Sequence, residues 1–208
     1  MKTLLLLFSC LLLLHSAASQ AAWLNGEFPP FQKKIIFSLI DQHKQPFSSR
    51  QLEGRYSLIF FGYSTCSNVC PTSLQTAARV KNAVANSEPI NVVFITLDPL
   101  HDTAETIASY LAAFDKDIIG LSGRPKEINN AATAFSVKYR KRPTKEKSGS
   151  TLDHSGTLYM LDKSGKLLLQ YPYPASSEKI IDDINYLHKN GKNWLSGRMS
   201  GAGHAEAH

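Results

Sequence analysis

Ser57-Leu-Ile-Phe-Phe-Gly-Tyr-Ser-Thr-Cys66-Ser-Asn-Val-Cys70-Pro-Thr-Ser-Leu74 is the stretch around which the chain is organised. Ser57 to Phe61 is an apolar run of strand length, bounded by Gly62. A short polar turn follows, and from Thr72 to Ala85 the residues Leu74, Ala77, Ala78 and Val84 recur at helical spacing. Pro71 fits a first helical turn, where its missing N–H has no partner to lose. Cys66 and Cys70 therefore lie where a strand passes into a helix N-terminus. The helix dipole and free backbone N–H groups favour negative charge there, lowering a cysteine pKa from its usual value of about 8.5. If the turn is itself helical, residues four apart share one face and both sulfurs aim at one spot. Two such thiolates invite a soft metal or a disulfide. The plain alternative is a pair of buried structural cysteines, and the surrounding Ser, Thr and Asn argue against it.

The chain has 208 residues and a formal net charge of +6. Lys2, the apolar run Leu4 to Leu14 broken only by Ser9 and Cys10, and the small residues Ser16-Ala17-Ala18 have the form of a signal peptide. Cleavage is placed after Ala18, with Ala21 as second choice, and residues 1–22 are set apart from the fold. The apolar run ends at His15 and is short for a membrane span of about 20 residues. Cleavage is thus preferred to an anchor, and Cys10 is not read as a lipid-attachment site because the apolar run continues past it. The expected compartment is the periplasm or an equivalent exported space. Cys10 departs with the leader, so the mature chain keeps Cys66 and Cys70. In an oxidising compartment they would tend to pair, but so small a loop constrains the unfolded chain little. A redox or metal role follows rather than a staple. The basic residues are scattered apart from a cluster between Lys138 and Lys147, without interleaved aromatics. That argues against nucleic acid and for encounter with acidic partners.

One domain is expected over residues 23–195. Trp23 to Pro30 reads as an exposed lead-in. Phe37 to Asp41, a turn at Gln42 to Gln45, and Pro46-Phe47 form a small hairpin. After the dithiol helix come a central strand at Ile90 to Leu97, a helix from Thr103 to Phe114, a brief apolar piece at Ile118 to Leu121, and a helix from Pro125 to Phe135. Val137 to Arg140 is a short strand and Lys141 to Ser150 a mobile loop. Thr157 to Leu161 and Lys166 to Tyr171 are strands joined by the hairpin signal Asp162-Lys-Ser-Gly165, and Ser176 to Lys189 is a closing amphipathic helix. The tail, residues 196–208, is small and polar and expected to be disordered. Strand, helix, strand, helix, then a hairpin and a helix describe an α/β mixed sheet flanked by helices, with an N-terminal hairpin extension. A strand feeding a dithiol at a helix start makes the arrangement thioredoxin-like, with a spacing one residue longer than the usual C-x-x-C.

In such a sheet the loop entering the strand Thr157–Leu161 lies beside the dithiol, and that loop carries Asp153-His154-Ser155. His154 can then complete a site with Cys66 and Cys70. Two thiolates and an imidazole suit Cu(I) in a plane, or Cu(II) or Zn(II) with a further ligand. Asp153 either supports the imidazole or caps the turn.

Phe-Phe-Gly-Tyr-Ser-Thr-Cys66-Ser-Asn-Val-Cys70-Pro, Thr-Leu-Asp98-Pro-Leu-His-Asp102-Thr and Leu-Asp-His154-Ser together resemble the Sco/SenC family, as do Phe37-Ser-Leu-Ile-Asp41 and Gly120-Leu-Ser-Gly. The resemblance runs from about Phe37 to Tyr171 and implies a thioredoxin-like, exported or tethered protein that binds copper through two cysteines and a histidine, here Cys66, Cys70 and His154. It further implies service to the CuA centre of cytochrome c oxidase, as copper donor, thiol reductant or both. The partners would be a copper-receiving protein such as oxidase subunit II, and a thiol reductant. Ser67 and Asn68 depart from the family's Pro and acidic residue, and His101 stands where the family carries Arg. Asp98 and Asp102 are expected to shape or cap a helix-opening loop. His101 is read as a solvated loop histidine rather than a ligand, and His204 and His208 as part of an inert tail rather than a weak metal site. Three function classes follow, the first a periplasmic copper metallochaperone and the second a thiol–disulfide oxidoreductase in which Cys66 attacks and Cys70 resolves. A non-enzymatic interaction module with a disulfide is the third.

Overall fold

The computed structural model describes residues 24–30, 32–142 and 151–191. The leader, Cys10, most of the loop ending at Ser150, the tail, His204 and His208 lie outside the described residues.

Among the described residues there are nine strands and four α-helices, and all but β7 follow the expected order. Strands β1 (Ser38–Asp41) and β2 (Pro46–Ser48) form the N-terminal hairpin, with a 3-10 turn at Ser49–Leu52. Next come β3 (Ser57–Gly62), α1 (Val69–Val84), β4 (Asn91–Thr96), α2 (Ala104–Ala112), β5 (Ile119–Ser122) and α3 (Pro125–Ala134). The chain ends with β6 (Tyr139–Arg142), β7 (Thr151–His154), β8 (Leu158–Leu161), β9 (Leu167–Tyr171) and α4 (Ser177–Asn190). Seven strands make one sheet in the order β2-β1-β5-β4-β3-β8-β9, and β6 and β7 form a separate two-stranded ribbon. β3 and β5 run parallel to β4, while β1 joins β5, and β8 joins β3, antiparallel.

The centre of the sheet is apolar on both faces, as a doubly covered sheet requires. Every residue of β3 is buried, and Val92 to Thr96 of β4 likewise. Register assigns the helices to faces. Phe60, Phe94 and Gly120 stand side by side, and a Cβ on Gly120 would strike Ile107 and Leu111 of α2. Gly62, on the same face, abuts Cys70 of α1. Helix α4 lies against α1 on this face, and on the opposite face Phe61 packs edge-on against Phe135 at the end of α3. The sheet is thus covered on both sides, and the dithiol helix starts beyond the C-terminal end of β3, next to the central strand β4.

Several expectations need correction. The segment before Phe37 is not a free lead-in: Glu27 exchanges backbone hydrogen bonds of 2.8 Å with Gln170, and the N–H groups of Asn25 and Gly26 donate to the buried Asp183 carboxylate at 2.7 and 2.9 Å. The periodic signal could not see this clamp, because one carboxylate far down the chain makes it. β6 begins two residues later than expected and takes in Lys141 and Arg142 from the stretch read as loop. β7 was not expected at all, since Thr151 to His154 is too short and polar to signal a strand alone; it exists by pairing with β6.

Candidate metal centre

The dithiol turn is built by backbone geometry first. The Cys66 N–H donates to the Tyr63 carbonyl at 3.2 Å, which folds Ser64-Thr65 into a tight turn after β3. Helix α1 then starts at Val69, two residues before the proline, so Cys70 is inside its first turn. Pro71 sits there without cost because first-turn N–H groups have no intrahelical acceptor. The Thr72 N–H and hydroxyl both donate to the Asn68 carbonyl, at 3.4 and 3.1 Å, which closes that turn.

The two sulfurs end in different surroundings. Cys70 is fully buried, packed where a Cβ on Gly62 would lie 2.8 Å from its Sγ. Cys66 is only partly buried. The expectation that polar neighbours keep both cysteines out of the core therefore holds for one of them. Ser64, Thr65 and Asn68 line the turn, whereas Cys70 fills the space left by the missing side chain of Gly62, which the Phe60 and Phe94 rings also border. Their chemistry is split accordingly. A hydrogen bond from Cys70 holds the Cys66 thiol far below the ordinary thiol range, with the His154 imidazole and backbone N–H groups adding to it against the pull of desolvation. The same bond to Cys66, then burial, pushes Cys70 far above that range. The pair is one thiolate, at Cys66, beside one retained proton, at Cys70.

His154 is the last residue of β7, opposite Tyr139 in register, rather than a residue of a free loop. Its Nε2 lies 3.5 Å from the Cys70 Sγ. Its Nδ1 lies 3.0 Å from the Ser155 carbonyl, an acceptor, so Nδ1 carries a proton and Nε2 is the nitrogen that faces the sulfurs. That carbonyl occupies the place considered for Asp153, which instead stands opposite Arg140. The ring is held edge-on between Phe60 and Tyr63, with centroids at 6.0 and 5.9 Å. Gly156 brings the chain in, since a Cβ there would meet Val69 at 2.5 Å and Tyr173 at 2.8 Å. The sulfurs of Cys66 and Cys70 and a ring nitrogen of His154 all lie within 4.8 Å of one another, and no other group of three such donors occurs among the described residues. Two soft sulfurs and one imidazole nitrogen so placed can hold a soft, low-coordinate cation such as Cu(I).

Asp98 and Asp102 do not cap helix α2. Thr103 does, accepting from the Thr106 N–H at 3.2 Å. Asp102 is 2% exposed and turns the other way, accepting from the Ser64 N–H at 3.1 Å and from the hydroxyls of Ser64 and Thr96. It therefore fixes the turn that carries Cys66. Asp98 is buried with its carboxylate 2.8 Å from the His101 Nδ1, and His101 takes no place among the three donors. Sequence reading missed the supporting roles of Asp102, Gly156, Phe60 and Tyr63. The Asp-His-Ser-Gly run held a usable signal for Gly156, because a glycine directly after a candidate ligand points to a close backbone approach.

The SCO1/SenC family model matches residues 28–189. A SCO2-like protein of Rickettsia prowazekii is 32% identical over 186 residues, which is 86% of this chain and 91% of that protein. Among solved structures, ScoI of Bradyrhizobium japonicum with copper bound is 35% identical, with a TM-score of 0.65 over 74% of this chain and 98% of that one. Arabidopsis thaliana ScoI with copper bound is 27% identical, with a TM-score of 0.70 over 75% and 98% of the two chains.

Proposed function

The chain belongs to the SCO1/SenC family, and from that premise we propose that it is an exported copper chaperone whose cargo ion is held by Cys66, Cys70 and His154. The observation that carries the reading is the meeting of those three donors within 4.8 Å, in a chain similar to two proteins solved with copper bound. Family members assist cytochrome c oxidase assembly, and the target proposed here is the CuA centre carried by oxidase subunit II. The compartment proposed is the periplasm, with the leader removed by cleavage after Ala18. Among the described residues no helix is long and apolar enough to cross a membrane.

The side chains divide the work. Cys66, already a thiolate and partly exposed, meets incoming Cu(I) first. Cys70 completes the pair by giving up its proton, because only the thiolate ligates. The Nδ1–H bond to the Ser155 carbonyl keeps the ring oriented with Nε2 toward the third position, where the neutral imidazole ligates. Release follows by ligand exchange: a target's sulfurs and imidazoles displace the outer donors, Cys66 and His154, before the buried Cys70. Replacing His154 by Ala is expected to weaken Cu(I) affinity by about 10- to 100-fold, measured by competition with a Cu(I) chelator. Equal affinity in variant and parent would defeat the triad.

A second reading draws on the same asymmetry. A low-pKa, accessible Cys66 beside a buried, protonated Cys70 has the form of an attacking and a resolving thiol. In that reading Cys66 attacks a disulfide in the target's copper site and Cys70 releases the mixed disulfide, so the target leaves reduced. His154→Ala separates the two: it weakens copper binding yet leaves a redox pair able to act.

A further inference from the structure

Strand β6 is Tyr139-Arg140-Lys141-Arg142 and follows Lys138, which places four basic residues in five positions. This strand pairs with β7, whose last residue is the candidate ligand His154. A hollow of about 340 Å³ opens at that point, lined by Lys138, Tyr139, Arg140, Asp153 and His154. Lys138 and Arg140 are exposed, and neither forms an ion pair with another described residue. Other cations of the chain are answered from within it: Lys34 by Glu53, Lys81 by Asp115, Lys163 by Glu88. Asp153, opposite Arg140, is the single carboxylate lining the hollow.

We propose that β6 is a docking arm for an acidic protein surface, which it holds against Cys66 and His154 while the exchange takes place. A concentrated positive strand beside an exchange site attracts acidic groups over roughly 10 Å at 0.1 M salt and raises their encounter rate. It also selects partners, since a basic surface is repelled from the same spot. The inference rests on the proposed function only in that a partner must reach Cys66; it does not require copper to be the thing exchanged.

The test therefore omits copper. Three synthetic peptides carry one cysteine as a mixed disulfide with 2-thiopyridine, flanked by glutamates, by lysines or by serines. The Cys66 thiolate of the reduced protein attacks the peptide sulfur, a protein–peptide disulfide forms, and the electron pair of the broken bond leaves as pyridine-2-thione, which absorbs. At low salt the glutamate peptide is expected to react about 10-fold faster than the lysine peptide, and the difference to shrink at about 1 M salt, where screening is short-ranged. The double variant Lys138→Glu with Arg140→Glu is expected to lose or reverse the preference while reacting with the serine peptide as the parent does. Lys138→Gln with Arg140→Gln, milder in charge, is expected to fall between. No preference in the parent, or an unchanged preference in either double variant, overturns the proposal. So does a β6-dependent binding of anionic phospholipid vesicles without peptide preference, which would make the arm a lipid contact. A protein that fails to bind copper but shows the preference loses the chaperone reading and keeps the arm.

Discussion

Cys70 and His154 approach to 3.5 Å, yet they belong to regions of opposite character. The Cys70 side is core: a fully buried sulfur on α1, packed on Gly62 below the end of an all-buried β3, with Asp102 pinning the preceding turn from beneath. The His154 side is a two-stranded ribbon outside the main sheet, rich in cations and joined to the rest by a glycine contact and two aromatic edges. The difference teaches how a site can bind and still let go. Core packing holds one donor in place at the free energy of the whole fold, whereas a two-stranded ribbon is marginal alone and contributes a donor that exchanges at low cost.

The comparison breaks most readily on the buried side. Asp102→Ala strips the Ser64 and Thr96 donors of their shared acceptor, and about 3 kcal/mol of stability is expected to go, since a buried, hydrogen-bonded carboxylate cannot be removed cheaply. Urea unfolding of the metal-free protein measures it, and a loss under about 1 kcal/mol would mean that the turn is not held from below. Gly156→Ala attacks the seam between the two sides. A methyl aimed at Val69 and Tyr173 is expected to cost about 1–3 kcal/mol and to weaken Cu(I) binding as well, because the strand carrying His154 is pushed off α1. Unchanged stability and affinity would show that the ribbon reaches the helix without this close approach.

Acidity sharpens the contrast between the sulfurs. The folded pKa of Cys66 is lowered, so its thiolate contributes stability that is fully present above the ordinary thiol range and is lost as pH falls through the lowered value. Iodoacetamide should thus modify Cys66 at a nearly constant rate from neutral to mildly acid pH and leave Cys70 unmodified. The raised pKa of Cys70 has the opposite consequence for loading. Its proton must leave when copper enters, so Cu(I) affinity is expected to rise about tenfold per pH unit through neutrality. An affinity flat with pH would mean that Cys70 is already ionised. The smallest effect concerns Tyr110, which packs on Phe94 under the buried side and whose hydroxyl has no partner among the described residues. Tyr110→Phe removes an unpaired buried group and is expected to be neutral or to stabilise by up to about 1 kcal/mol. A larger loss in urea unfolding would reveal a bond to that oxygen.

Legibility followed the same division. The buried side could be read because an apolar strand, a glycine, two cysteines and a proline each dictate local structure: β3 and α1 fall within three residues of where periodicity puts them. The edge hairpin and the closing helix were equally plain, with Ser176 capping α4 through the Lys179 N–H. The ribbon was opaque because its strands are charged and short, and pairing rather than propensity makes them. Asp102 was left between two readings for a related reason: an acid just before a helix is locally a cap or a loop residue, and only tertiary structure turns it toward Ser64. The burial of Cys70 was hidden too, since polar sequence neighbours say nothing about the space that Gly62 leaves for its sulfur.

The most direct measurement is X-ray absorption at the copper edge on the reduced protein loaded with one equivalent of Cu(I). The account predicts one ion per chain with two sulfur neighbours and one imidazole nitrogen, the nitrogen lost in His154→Ala and the ion itself lost in Cys66→Ser with Cys70→Ser. Copper bound at the same stoichiometry and with the same neighbours after those substitutions would contradict it.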